Sequence, residues 1–290
     1  MGSQRKTINI QDNYWLFFGH RLAELSDIKP DFRVLDVGTG DGACLIPATK
    51  KTGERGRVIG IDYRDDKVRS ANEKLRKCGI TNATAIKMDA TQMCYPDCDF
   101  DYALCGFVGF GRVYDYEKKE YRPNKSNKIM QEIHRVLKLG GSADFSNWLL
   151  QEDIATLREL TMKYLEERGR APLKSISMGY SKEDEEGIRR IMTDAGFTNI
   201  SVDTEDYDMI YNNDDEWFRY MLAHGIIQAA VGEDPRDIKQ LKQTILTQIP
   251  ESHRRANTLV FTKSVIYSHG TKIYRIPPEA DGKPIIGKAP

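Results

Sequence analysis

The sequence predicts an α/β protein built on a largely parallel sheet, and three observations carry that prediction. Short apolar runs alternate with amphipathic segments from Arg33 to Ser146. The first run ends in a glycine-rich turn, Gly38-Thr39-Gly40-Asp41-Gly42. No stretch reaches the roughly 18 apolar residues of a membrane span. Strands and helices alternating at this spacing imply right-handed βαβ units, with helices on both faces of the sheet.

The elements follow in order. Residues 1–30 read as a lead-in with an amphipathic helix, ended by Pro30. Val34-Leu35-Asp36-Val37 is the first strand, the glycines form a tight turn, and Ala43–Lys51 is a helix closed by Gly53 and Gly56. Val58–Ile61 is the second strand. Val68, Ala71, Leu75 and Cys78 recur at steps of 3, 4 and 3, which is one helical face, and Gly79 stops that helix. Ala83–Met88 and Phe100–Cys105 are strands. Ile129, Ile133, Val136 and Leu137 mark a helix ended by Gly140-Gly141, and Ala143–Ser146 is the fifth strand. Residues 151–168 and 182–195 are helical by pattern, Asn199–Val202 is a strand, a helical insertion covers about 214–248, and Leu259–Tyr267 is the last strand. The organisation is a helical lead-in over 1–30, one domain over 31–276 with a cap insertion at about 205–255, and an extended tail over 277–290 rich in proline and glycine.

Composition excludes several classes. Among 290 residues, 43 Lys plus Arg balance 43 Asp plus Glu, and 40% are apolar. That is enough for a sizeable core and argues against disorder. Zero net charge argues against nucleic acid as the main partner. The burst Tyr14-Trp15-Leu16-Phe17-Phe18 is too short for a signal peptide core. Five cysteines are an odd number, which favours a reducing cytoplasm over a disulfide framework. Cys94 and Cys98 lack the second pair or nearby His of a zinc site.

The turn after the first strand carries the chemistry. Glycines permit positive φ and let a ligand approach the backbone. Their spacing is G-x-G-x-G, whereas a dinucleotide fingerprint needs G-x-G-x-x-G. Asp36 sits two positions before the first glycine, where its carboxylate repels a phosphate and suits an ammonium group. Asp62 ends the second strand, 26 residues later, where a carboxylate can accept hydrogen bonds from ribose hydroxyls. Tyr63, beside it, can pack on an adenine face.

This pattern resembles the first motif of the class I S-adenosylmethionine-dependent methyltransferases. The resemblance implies a Rossmann-like, seven-stranded, mostly parallel sheet with an antiparallel last strand, and S-adenosylmethionine as cofactor. It implies contacts from Asp36, Gly38, Thr39, Gly40 and Gly42, from Asp62 and Tyr63, and from Asp89 and Ala90 to adenine. Cys105 and Gly106 would face the methionine portion. His134-Arg135-Val136-Leu137-Lys138-Leu139-Gly140-Gly141 looks like the family's helix-to-turn signature, with Leu139 in place of the usual proline. The likeness covers residues 33–147 and continues more weakly through Asp194-Ala195-Gly196-Phe197. It is nearest to the ubiquinone/menaquinone-type small-molecule methyltransferases, in which an insertion before the last strand helps cover the substrate.

The implied reaction is in-line methyl transfer to a small aromatic or apolar molecule, without a metal. The fourth and fifth strands end in Cys105-Gly106 and Ser146-Asn147, which lack the carboxylates of magnesium-dependent relatives. Substrate contacts are expected from Tyr14, Trp15 and Phe18, from Trp148, and from Trp217 and Tyr220. The competing reading for Trp217 and Tyr220 is simple core packing. His224 and His20 are the candidate general bases, against the common alternative of structural histidines. A second reading is a protein or peptide methyltransferase docking through Tyr114–Arg122. A third is a non-catalytic binder of the cofactor, and a fourth a nicotinamide oxidoreductase. The oligomeric state and the accepting atom stay open.

Overall fold

The structure is a computed structural model that describes residues 6–9, 14–108, 112–115, 120–123, 127–173 and 184–273. The tail from 277 and the pair Lys118-Lys119 lie outside the described residues. The chain runs β1 (Lys6–Asn9), α1 (Tyr14–Leu25), β2 (Arg33–Val37), α2 (Leu45–Thr52), β3 (Arg57–Asp62), α3 (Asp65–Lys77), β4 (Ala83–Lys87) and β5 (Phe100–Gly106). It continues with β6 (Arg112–Asp115), β7 (Glu120–Pro123), α4 (Asn127–Val136), β8 (Leu137–Gln151), α5 (Glu152–Glu166), α6 (Glu185–Asp194) and β9 (Thr198–Tyr211). The last elements are α7 (Asp214–Met221), α8 (Ile226–Val231), α9 (Pro235–Leu246), β10 (Arg254–Arg255) and β11 (Thr258–Thr271).

The main sheet has nine strands in the order β1-β9-β11-β8-β5-β2-β3-β4, with β10 pairing beside β11. Strand β11 is antiparallel to both β8 and β9, while the β2, β3, β4, β5 and β8 pairings are parallel. The seven strands read from the sequence are all present. The two additions are β10 and β1, and β1 places a short strand ahead of the lead-in helix. Its four residues add in parallel to the edge of β9, burying only Ile8. Glu205 of β9 ties this end down by accepting from Lys6 at 3.3 Å and from Arg21 Nε at 3.0 Å. That pairing holds its carboxyl down at about 2 against the cost of burial. Strands β6 and β7 pair antiparallel in a separate two-stranded sheet, and residues 116–119 of the Tyr114–Arg122 segment lie outside the described residues.

Helices cover both faces. Phe18, Leu45, Ala71, Leu157, Trp217, Ile226 and Leu241 place α1, α2, α3, α5, α7, α8 and α9 on one face. Ile133 and Met192 place α4 and α6 on the other. Local signals start and stop these helices. Helix α3 has Asp65 and Asp66 in its first turn and Lys74, Arg76 and Lys77 in its last, which suits the helix dipole at both ends. Asp184 caps α6, Asn213 caps α7, and Asp234 caps α9 with proline following at its first turn.

Three strands are longer than the sequence pattern suggests. β11 runs on to Thr271. β8 continues to Gln151 and β9 to Tyr211, alongside the first half of β11, which starts at Thr258. Their ends protrude beyond β5 and β2 on the side where the parallel strands finish, and α5 and α7–α9 pack on that extension. The segment from 205 to 211, expected to begin a cap, is therefore sheet. No helix among the described residues is long and apolar enough to cross a membrane.

Candidate active site

Open parallel sheets bind ligands beyond the strand ends, where the strand order reverses. Here that point lies between β2 and β5. Gly38, Gly40 and Gly42 have φ of +72°, +51° and +88°, a region that side chains disfavour. The Gly38 and Thr39 amides both donate to the Ile61 carbonyl at 2.9 Å, which folds the turn across the end of β3. Gly40 N–H donates to Asp62 Oδ2 at 3.0 Å, and Arg64 N–H to Oδ1 at 2.9 Å. Each oxygen keeps further acceptor capacity. Tyr63 beside it is 47% exposed.

Asp36 is buried under this turn and receives the Thr39 hydroxyl at 2.6 Å. Among the described residues no cation pairs with it. Burial pushes its carboxyl up to about 7, the neighbouring Asp62 adds to the rise, and the Thr39 hydrogen bond opposes it. Gly60, which the sequence reading passed over, makes this arrangement possible. It lies opposite Asp36 in the β2–β3 pairing, and a Cβ there would sit 2.6 Å from Thr39 Oγ1. A glycine inside a strand was the available signal.

Asp89 is exposed after β4, its Oδ1 receiving the Thr91 amide and hydroxyl at 2.8 Å each. Ala90 packs half-buried on the core of the second face. Cys105 is fully buried and its thiol, 3.2 Å from the Val108 carbonyl, is pushed well up by burial, which keeps it neutral. A Cβ on Gly106 would lie 3.2 Å from Cys44 Sγ and 3.6 Å from Ser146 Oγ. That Ser146 hydroxyl is buried and has no hydrogen-bond partner among the described residues. The elements therefore bring together a glycine turn, a buried carboxylate without a cation, an accessible strand-end carboxylate and an orphaned hydroxyl. The set fits a ligand with a cationic end and ribose hydroxyls.

Above this edge lies an aromatic cluster. A Cβ on Gly19 would meet Ala43 at 2.5 Å, so this glycine lets α1 lie directly against the start of α2. Phe107 follows β5 with φ of +58°, and its ring is 4.4 Å from Trp148. Phe18 is 4.9 Å from Trp148, Trp15 is 5.4 Å from Phe107, and Tyr14 is 6.5 Å from Trp148. Phe18 is buried, Tyr14 and Trp148 are half-buried, and Trp15 is 44% exposed.

Trp217 does not join them. It is fully buried and stacks on Phe261 at 5.6 Å, which makes it part of the core under α7. Tyr220 is half-buried, with its ring 5.9 Å from Tyr211. His20 is exposed, about 200° around α1 from buried Phe18. His224 is half-buried, and burial lowers its pKa, with Asp153 opposing the fall and Lys263 adding to it. Asp153 and Lys263 went unnoticed in the sequence, yet both are buried and form an ion pair of 2.8 Å. A cavity of about 240 Å³ lined by Asp27, Asp101 and Lys138 lies at the opposite edge of the sheet, where the strands begin.

Residues 28–196 match the family described as Methyltransferase domain. The chain is 37% identical over 86 residues to the aklanonic acid methyltransferase DauC of Streptomyces sp. strain C5, covering 30% of this chain and 39% of that protein. It is 32% identical over 115 residues to a demethylmenaquinone methyltransferase of Geobacillus kaustophilus, covering 40% of this chain and 44% of that protein. The chain thus matches less than half the length of these curated relatives. In three dimensions it is similar to the YcgJ protein of Bacillus subtilis, with a TM-score of 0.57 at 16% identity, covering 91% of this chain and all of that one. It is also similar to the cyclase SpnF, with a TM-score of 0.53 at 17% identity, covering 89% and 82%. Both structural likenesses speak to the fold alone. The family match spans more than half of the chain and includes the glycine turn and the ends of β2, β3 and β5. The chain belongs to the methyltransferase-domain family.

Proposed function

We propose that this protein transfers a methyl group from S-adenosylmethionine to a small aromatic acceptor. The observation that carries the reading is Asp36, a buried carboxylate with no cation of its own beneath a glycine turn. A ligand ammonium there supplies the missing charge. In this reading Asp62 accepts the ribose hydroxyls, Tyr63 packs on adenine, and Asp89 and Ala90 meet the adenine edge. Gly38, Thr39, Gly40 and Gly42 give backbone access, and Cys105 and Gly106 flank the methionine portion.

When bound, the cofactor supplies a sulfonium-activated methyl group. The protein then has to align the acceptor and exclude water, and alignment alone is worth several kcal/mol. Tyr14, Trp15 and Trp148 provide the aromatic surface, with buried Phe18 packed behind it and Tyr220 as a further candidate contact. His224 is the better candidate base. Burial favours its neutral form, which can take a proton.

Calorimetric titration with S-adenosylhomocysteine tests the reading. Asp62→Ala is expected to weaken binding by at least about tenfold, the loss of one or two hydrogen bonds to a charged group. Unchanged affinity removes the ribose assignment. A thermal shift with a nicotinamide dinucleotide but none with S-adenosylhomocysteine overturns the cofactor itself. Radiolabelled cofactor with a cell extract then separates acceptors, and label confined to the macromolecular fraction overturns the small-molecule acceptor.

A further inference from the structure

One position on β11 breaks the pattern that built the sheet. The residues facing the α1 and α5 layer run Leu259, Phe261, Lys263, Val265 and Tyr267. Four are apolar, and the fifth is a lysine only 2% exposed. Its ammonium lies 2.8 Å from Asp153 Oδ1 and 3.4 Å from Gln151 Oε1. Asp153 is fully buried at the start of α5. Its Oδ1 also takes the Ile154 amide at 2.9 Å, and its Oδ2 takes the Tyr211 hydroxyl. A buried ion pair holds two elements together no better than an apolar pair of the same size. Packing alone therefore gives no reason for this lysine.

The ammonium has three N–H donors. Asp153 and Gln151 account for two, and among the described residues no third oxygen lies within hydrogen-bonding range. The other neighbours of Nζ are the Trp148 ring at 5.2 Å and the Tyr14 ring at 5.8 Å. Those rings belong to the aromatic surface assigned above to the acceptor, and Trp148 connects it through Phe107 to the end of β5. An aromatic surface of this kind also attracts amine cations. Here the cation position is taken by Lys263, which repels an amine acceptor.

We propose that Lys263 is a specificity-determining residue that donates its remaining N–H to an acidic oxygen of the acceptor, a carboxylate or an ionised phenol or enol. Asp153 and Tyr211 are positioning residues that hold the ammonium in place. The inference rests on the acceptor reading above and narrows its substrate class to acidic aromatic molecules.

The test titrates naphthoate, naphthol, naphthamide and naphthalene into protein first saturated with S-adenosylhomocysteine. An acidic probe is expected to bind at least about tenfold more tightly than naphthamide, the worth of one charge-assisted hydrogen bond. Tight naphthoate binding identifies the carboxylate, and naphthol affinity that climbs as the phenol ionises identifies the phenolate. K263M is expected to abolish the preference and leave S-adenosylhomocysteine affinity unchanged. Should K263M fail to fold, the double variant D153L/K263M removes both charges together and serves in its place. Three results overturn the inference: equal binding of naphthamide and the acidic probes, no binding of either acidic probe, or a preference that survives removal of Lys263. Failure of S-adenosylhomocysteine to bind appears in the first titration, and it sinks the cofactor reading instead.

Discussion

Asp36 and Asp153 are both buried carboxylates on the same side of one sheet, and burial acts on them with opposite outcomes. Asp36 is met by two neutral donors, the Thr39 hydroxyl and the Leu45 amide, and burial dominates them, raising its carboxyl to about 7. Asp153 faces the same cost, but Lys263 outweighs it, and the Tyr211 hydroxyl helps to hold its pKa below the usual carboxylate value. The glycine-turn end thus lacks a counter-charge among the described residues, while the far end carries its own. A ligand can bind the first by completing it. It can bind the second only by using what the internal pair leaves over, which is one N–H of an ammonium.

The largest expected effect comes from breaking the completed pair. Asp153→Ala leaves Lys263 buried and uncompensated, and should cost about 3–5 kcal/mol in urea unfolding. The double variant D153L/K263M should recover most of that loss. A cost below about 1 kcal/mol for the single variant would falsify the view that Asp153 neutralises a buried charge.

Asp36→Asn tests the incomplete end, and its sign is the reverse. The folded carboxyl titrates near 7 and the unfolded one near 3.9, so the folded state binds the proton more tightly. Stability from Asp36 is therefore full below about pH 4 and falls as pH rises through 7. In ligand-free protein the Asn variant should be more stable by up to about 4 kcal/mol at pH 8, with the gap closing towards pH 4. The same variant should bind S-adenosylhomocysteine less tightly. A gap that does not change with pH contradicts the burial argument.

Gly60→Ala asks whether Thr39 matters to that end. The new Cβ must displace the hydroxyl that binds Asp36, at an expected cost of about 1–3 kcal/mol and reduced S-adenosylhomocysteine affinity. Full retention of affinity would show that Thr39 can move at no cost to the site. The smallest effect is a control at the far edge of the sheet. His269 Nδ1 meets Asp144 Oδ1 at 2.7 Å, and that hydrogen bond raises the histidine pKa. Its contribution is full below about pH 6.5 and fades as pH rises through the folded value. His269→Asn should flatten that part of the melting curve against pH by about 2 °C and leave ligand affinity untouched.

The two ends also differ in how far the sequence reveals them. The glycine turn, Asp36 and its neighbour Thr39 lie within seven residues of one another, and Asp62 ends the next strand. Local order was enough to nominate them. Even there Gly60 was missed, because its role appears only when β3 lies beside β2. At the far end, Lys263 and Asp153 are 110 residues apart, and neither stands out within its own segment. His20 and Trp217 show the converse. Each looked suitable by residue type, and the fold put one in solvent and the other in the core.

By itself the sequence determined the strand–helix alternation, the seven strands of the sheet and the acidic glycine turn. These follow from periodicity and from backbone freedom, which act over a few residues. Only the tertiary structure decided that β8 and β9 run on past the strand ends beside β11. It also decided that β1 closes the edge, and that a lysine in an apolar stripe meets an aspartate on α5. Those outcomes depend on pairing and burial between distant segments, and a buried charge has a partner only once the chain has folded around it.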